Sequence, residues 1–255
     1  MRLLAASLLF LVPLAAAAAD ECTYQSPRDF TLDLQGVHSV HIQLHSHDLQ
    51  LHAGEANKLI LKGKACASDP KMLDWLIVTQ HREGDRLVIE ASTKPGFSFA
   101  QLGGYSAGLQ LDIQLPAALP VMLDIGSGDA YVRGLQQLRS QVGSGDLHAD
   151  GITRTVEVGV GSGDVELSQI GALTVGALGS GDLKATGVTG DVRVGTVGSG
   201  DVELRKIGGN VRVETIGSGD LGVDDVRGGL SVGAVGSGDV RHRNVAGKVD
   251  VPRDD

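Results

Sequence analysis

Aromatic residues are almost missing from this chain of 255 residues: four Phe, three Tyr and one Trp make up 3% of it. Any core must therefore be built from Val, Leu and Ile, and a row of aromatic platforms for gripping polysaccharide is absent from the repeated part. Basic residues are also in the minority, 22 Lys and Arg against 31 Asp and Glu, with no block that concentrates them. A net charge of −9 without a basic stripe argues against nucleic acid and against an anionic membrane surface. There are only two cysteines, Cys22 and Cys66, too few for a disulfide-stapled scaffold. After residue 19 no run is long and apolar enough to cross a membrane as a helix.

What is present begins with a leader. Arg2 is followed by an apolar run over 3–14 and alanines over 15–19, which predicts a secretory signal peptide over residues 1–19 with cleavage after Ala19. Cys22 follows Asp20 and Glu21, where a lipoprotein signal would need small residues. The mature chain is expected outside the cytoplasm, in the periplasm, at the cell surface or secreted. In an oxidising compartment Cys22 and Cys66 are expected to form one disulfide, two free thiols being the alternative.

The dominant feature is a repeat. Gly-Ser-Gly-Asp occurs seven times, starting at Gly126, Gly143, Gly161, Gly179, Gly198, Gly217 and Gly236, with spacings of 17, 18, 18, 19, 19 and 19 residues. Such a period marks units too small to bury a core alone, which must stack on their neighbours. Within the unit from Gly198, Val202, Leu204 and Ile207 answer to Val211, Val213 and Ile216. The first two of each triplet alternate as in a half-buried strand, and the third falls one place late, so the chain must bend before it. Short Val-rich pieces bounded by Gly do not read as helix. The expected fold is all-β: a single-stranded β-solenoid of 17–19 residues per coil over residues 120–252, its seven motifs stacked over about 29 Å at the strand spacing of roughly 4.8 Å. Gly is expected at the GSGD corner for its backbone freedom, Asp and Ser for bonding backbone groups or the next coil. A second, looser corner is expected to absorb the drift in period.

Residues 20–119 carry no GSGD but are β-rich. Strands are expected at 30–34, 40–44, 49–51, 59–61, 76–78, 87–89, 109–115 and 121–125, with a turn at His45-Ser46-His47-Asp48. A short helix capped by Asp69 is expected from Pro70 to about Trp75, and a loop over 94–108. This region is expected to cap the solenoid or run into it, a separate small β-domain being the alternative; residues 253–255 form a charged tail.

The order of leader, β-rich stretch, "LDIQLPAALPVMLDIGSGD", then "GSGDVEL" and "GSGDVRH" coils over about residues 37–251 resembles the bacterial putative adhesin family, or putative auto-transporter adhesin head domain. The resemblance implies an exported β-solenoid of unknown function and brings no catalytic residues with it.

Three constellations could carry chemistry. Stacking would place Asp129, Asp146, Asp164, Asp182, Asp201, Asp220 and Asp239 in a row about 5 Å apart, either as solvated corner residues or as calcium sites. The sequence departs from the calcium-binding GGxGxDxUx nonapeptide, because Asp follows Gly directly and recurs once per coil. His38, His41, His45, His47 and His52 crowd one stretch; alternation puts His41, His45 and His47 on one polar face, a solvated face or a transition-metal site. Catalysis finds no nucleophile motif. The expectation is a non-enzymatic envelope protein, monomeric and without a cofactor, that presents a rigid surface to an envelope protein or glycan. A metal-binding module and a polysaccharide-active β-helix enzyme are the alternatives.

Overall fold

The computed structural model describes residues 22–55, 57–94 and 106–252; the leader, most of the 94–108 stretch and the 253–255 tail lie outside them. The bend demanded by the late apolar residue is present in every coil. After Val202 and Leu204, Lys206 takes a left-handed φ of 57° and returns Ile207 to the inner face. Gly134, Gly151, Gln169, Gly187, Asp225 and Asn244 do the same in the other six coils, with φ between 53° and 76°. Strict alternation would otherwise turn the third apolar side chain outward. Val202, Leu204, Ile207, Val211, Val213 and Ile216 are all buried and Arg212 is exposed. Glu203, which alternation turns outward, is half-buried, and Arg205 of its own strand pairs with it.

The strands in chain order are β1 (Tyr24–Pro27), β2 (Phe30–Asp33), β3 (Ser39–Leu44), β4 (Asp48–Ala53), β5 (Lys58–Ala67), β6 (Leu76–Glu83), β7 (Arg86–Thr93), β8 (Ala107–Leu115), β9 (Val121–Ile125), β10 (Ala130–Arg133), β11 (Gln137–Val142) and β12 (Leu147–Asp150). They continue as β13 (Thr155–Val160), β14 (Val165–Ile170), β15 (Ala172–Leu178), β16 (Leu183–Val188), β17 (Val192–Val197), β18 (Val202–Ile207), β19 (Val211–Ile216), β20 (Leu221–Val226), β21 (Leu230–Val235), β22 (Val240–Val245) and β23 (Val249–Asp250). A 3-10 turn over Pro70–Trp75 occupies the expected helix site, with the Asp69 carboxylate accepting from the Lys71 N–H. From β9 onward the strands alternate between two sheets, each pairing in parallel with its counterpart one coil later. The chain is thus an all-β solenoid of about seven turns.

The period drifts in two places, not one. In the first coil Leu135 and Leu138 are three residues apart across the second corner; in the next, Ile152 and Val156 are four apart. The further residue enters within a strand: Val158 and Val160 of β13 pair with Val175 and Leu178 of β15, a β-bulge that later coils retain.

The N-terminal strands share both sheets with the coils. β3 pairs in parallel with β9, and β4 with β10, so β3, His45-Ser46-His47-Asp48 and β4 lie where a coil with its corner would lie. Beyond them the pairing turns antiparallel, β5 on β8 and β6 on β7, with β1 and β2 on β5. The sulfurs of Cys22 and Cys66 are bonded, with Cα atoms 5.1 Å apart, which ties the segment before β1 to β5. At the other end β22 and β23 pair on one side only; Val240 and Val245 are half-buried and His242 is exposed.

Candidate interaction surface

The GSGD corners are made by close approach. None of their glycines has a left-handed φ. A Cβ on Gly145, Gly163, Gly181, Gly200, Gly219 or Gly238 would instead lie 1.8–1.9 Å from the carbonyl oxygen of the equivalent glycine one coil earlier. Backbone freedom, the reason anticipated for Gly here, is thus not the cause; coil spacing is. Between the glycines, the Ser N–H donates to the first Gly carbonyl of the preceding coil, as from Ser162 to Gly143 at 2.7 Å. The serine side chains stand in solvent.

The aspartates do form a row, and the row holds the coils together. Each Oδ1 but that of Asp239 accepts the backbone N–H of the next coil's aspartate: Asp146 to Asp129 at 3.2 Å, Asp164 to Asp146 at 3.0 Å, Asp182 to Asp164 at 2.9 Å, Asp201 to Asp182 at 3.0 Å, Asp220 to Asp201 at 2.8 Å and Asp239 to Asp220 at 3.0 Å. The row begins one coil early, since the Asp129 N–H reaches Asp48 at 3.2 Å. Charge-assisted bonds of this kind offset the repulsion between neighbouring carboxylates. A shorter ladder runs along the second corner, Asn210 N–H to Asp191 and Gly229 N–H to Asn210. The Asn210 N–H holds the Asp191 carboxyl below the usual carboxylate range.

The histidines spread apart. His41 Nε2 lies 2.7 Å from Asp124 Oδ2, His45 Nε2 lies 3.3 Å from Glu90 Oε1, and His47 is buried in the corner, where its Nδ1 accepts the Leu109 N–H at 3.3 Å. His38 and His52 face Asp85 and Asp112. The one-face placement of His41, His45 and His47 is therefore corrected: the turn sends His47 inward while His41 stays on the strand face. Among the described residues no three His, Cys, Asp or Glu side chains converge as a metal would require.

One outward feature escaped the sequence reading. Tyr131 on β10 is 45% exposed, and its ring stacks on that of His148 on β12, centroids 4.9 Å apart and planes within 8°. His148 Nδ1 is 3.3 Å from Glu166 Oε2 on β14. On the β4 side of Tyr131 a recess of about 570 Å³ is lined by Gln50, Leu51, His52, Tyr131 and Arg133. The available signal was arithmetic: Tyr131 and His148 stand 17 residues apart, the length of that coil, so they share one column.

No curated protein matches the chain. Among solved structures, a putative lipid binding protein from Parabacteroides distasonis is 14% identical with a TM-score of 0.53, covering 91% of this chain and 98% of its own. A putative adhesin from Parabacteroides merdae is 12% identical with a TM-score of 0.38, covering 91% and 97%. A putative cell adhesion protein from Clostridium sporogenes is 12% identical with a TM-score of 0.35, covering 86% and 99%. The family described as putative auto-transporter adhesin, head GIN domain, matches residues 45–246. With its corners, its coils and most of its length inside that match, the chain belongs to this adhesin head family.

Proposed function

We propose that this protein is exported and, without catalysing a reaction, holds a rigid β-solenoid surface outside the cytoplasm for interaction or adhesion, its partner an envelope protein or glycan. The observation that carries this reading is the division of labour along the coil. What repeats is consumed internally: apolar side chains fill the core, the corner glycines make room for the coil before, and each ladder Oδ1 but the last takes a backbone N–H. What varies points outward. The column Tyr131, His148, Glu166, Lys184, Glu203, Gly222, Arg241 changes chemistry at every coil on an unchanging frame. That pattern suits recognition of a partner by an extended face, and it asks for neither a metal nor a cofactor.

The test is binding of immobilised residues 20–255 to a panel of purified envelope polysaccharides and matrix proteins, with EDTA and reducing-end release as parallel arms. Saturable binding that survives EDTA and releases no reducing ends supports the reading. Silence across the panel, cleavage of a polysaccharide, or binding abolished by EDTA and restored by Ca²⁺ overturns it.

A further inference from the structure

We propose that the recess beside Tyr131 is a subsite for a carboxylated sugar, a uronate-bearing segment of a glycan; this rests on the reading of the solenoid as an interaction surface. Folding does not explain the ring. Among the described residues the large apolar side chains left exposed are Tyr24, Tyr131 and Val249, and Tyr131 stands mid-sheet, away from both ends. Nor is it loose. β10 lies between β4 and β12; His148 on β12 holds one face of the ring, and Glu166 holds His148. The other face is turned to the recess. An immobilised ring gives up little rotamer freedom when it is covered, which is what an aromatic binding platform needs.

The surrounding groups specify the ligand. Arg133 follows Tyr131 by two residues on the same outward face, about 6.7 Å along the strand. In register it lies between His52 and Asp150, and it makes no ion pair among the described residues. A guanidinium left free beside an aromatic plane presents a fork matched to a carboxylate. Gln50 adds an amide that can both donate to and accept from hydroxyls. No carboxylate lines the recess, although the chain as a whole carries −9. A pyranose laid against the ring would bring its apolar C–H face to Tyr131 and its carboxylate to Arg133. The ring favours a sugar over a bare anion, and the guanidinium favours a uronate over a neutral sugar.

The experiment is calorimetric titration of residues 20–255 with hexagalacturonate and, as the neutral counterpart, cellohexaose. Hexagalacturonate is expected to bind saturably, and cellohexaose at least tenfold more weakly. Tyr131→Ala and Arg133→Gln are each expected to raise the Kd for hexagalacturonate at least tenfold, and Arg212→Ala, on the opposite sheet, to leave it unchanged. Unchanged thermal unfolding of each variant shows that binding and not folding was altered. The proposal is overturned if hexagalacturonate does not bind, if cellohexaose binds as well, or if neither Tyr131→Ala nor Arg133→Gln weakens binding. If it falls while the chain binds another partner saturably, the interaction-surface reading stands; if no partner binds, both fall.

Discussion

Replacing Gly163 and Gly176 by Ala, one at a time, separates a glycine that coil stacking requires from one it does not. A Cβ on Gly163 would sit 1.8 Å from the Gly145 carbonyl oxygen, where an ordinary C···O contact needs about 3.3 Å. The two coils must part at that corner by more than 1 Å, roughly. Of the bonds that cross it, three are made by the N–H groups of residues 162–164 and are exposed to the displacement: Ser162 N–H to Gly143 O at 2.7 Å, Gly163 N–H to Gly143 O at 3.2 Å, and Asp164 N–H to Asp146 Oδ1 at 3.0 Å. At about 1 kcal/mol net each, with about 1–2 kcal/mol of overpacking strain, the loss is about 4–5 kcal/mol. A Cβ on Gly176 meets nothing within 4 Å, and its φ is not left-handed. Gly176→Ala is therefore expected to be neutral or to stabilise by up to about 1 kcal/mol through the unfolded chain. Urea unfolding followed by far-ultraviolet circular dichroism reads the difference. Amide hydrogen exchange then shows whether the loss is confined to the coils flanking residue 163, as nearest-neighbour stacking requires. If the two variants fall within about 0.5 kcal/mol of each other, the ordinary scatter of surface substitutions, close approach is not the reason for the GSGD glycines.

Lys206→Gly should stabilise by about 1 kcal/mol, since Lys206 holds a left-handed φ of 57° that glycine adopts without cost; a loss in urea unfolding would refute this. Asp164→Asn keeps an acceptor for the Asp182 N–H and should change stability little, whereas Asp164→Ala removes it and should cost about 1–2 kcal/mol; equal effects of the two would show that charge, not the bond, is what matters. Burial pushes the His47 pKa below 6.5. Its contribution is thus complete above the unfolded pKa near 6.5 and is lost as pH falls toward the lower folded value; wild type should lose more stability between pH 7 and 5 than His47→Asn, and parallel curves would refute it. The mature chain should sediment as a monomer, because an exposed histidine, His242, sits between Val240 and Val245 on the open last coil; concentration-dependent growth into filaments would show otherwise.

How much of this was legible in the sequence depends on which force set each residue. The core was plain, because burial selects Val, Leu and Ile at fixed intervals and the interval itself is the signal. The bend before Ile207 was visible as a late apolar residue, but its column was not: Gly134, Gly151, Gln169, Gly187, Lys206, Asp225 and Asn244 share a backbone angle, not a side chain. The bulge between Val175 and Leu178 was hidden likewise, since one added residue looks the same at a corner as within a strand. The aspartate row was legible, but its use was not, because the donor is a backbone N–H that no sequence displays. Tyr131 and His148 were concealed by distance along the chain until the length of that coil brought them together.

The sharpest case is the corner that carries no motif. His45-Ser46-His47-Asp48 keeps Ser and Asp and replaces both glycines, and close approach explains why. The Cβ that each corner glycine lacks would point toward the coil before it: from Gly163 to Gly145, from Gly145 to Gly128, and from Gly128 to His47. His47 itself has no earlier GSGD corner to strike. β3 pairs on that side with β7 and β4 with β8, whose register partners lie 47 and 62 residues farther along the chain and leave room for an imidazole beneath the Leu109 N–H. The aspartate faces the opposite demand. Its carboxylate reaches forward to the N–H of the next coil, so Asp48 must be Asp because Asp129 follows it. The layer of β3 and β4 therefore keeps the residue its successor needs and sheds those a preceding GSGD corner would have required. A stack read from sequence should betray its first member in this way, by an Asp without its glycines.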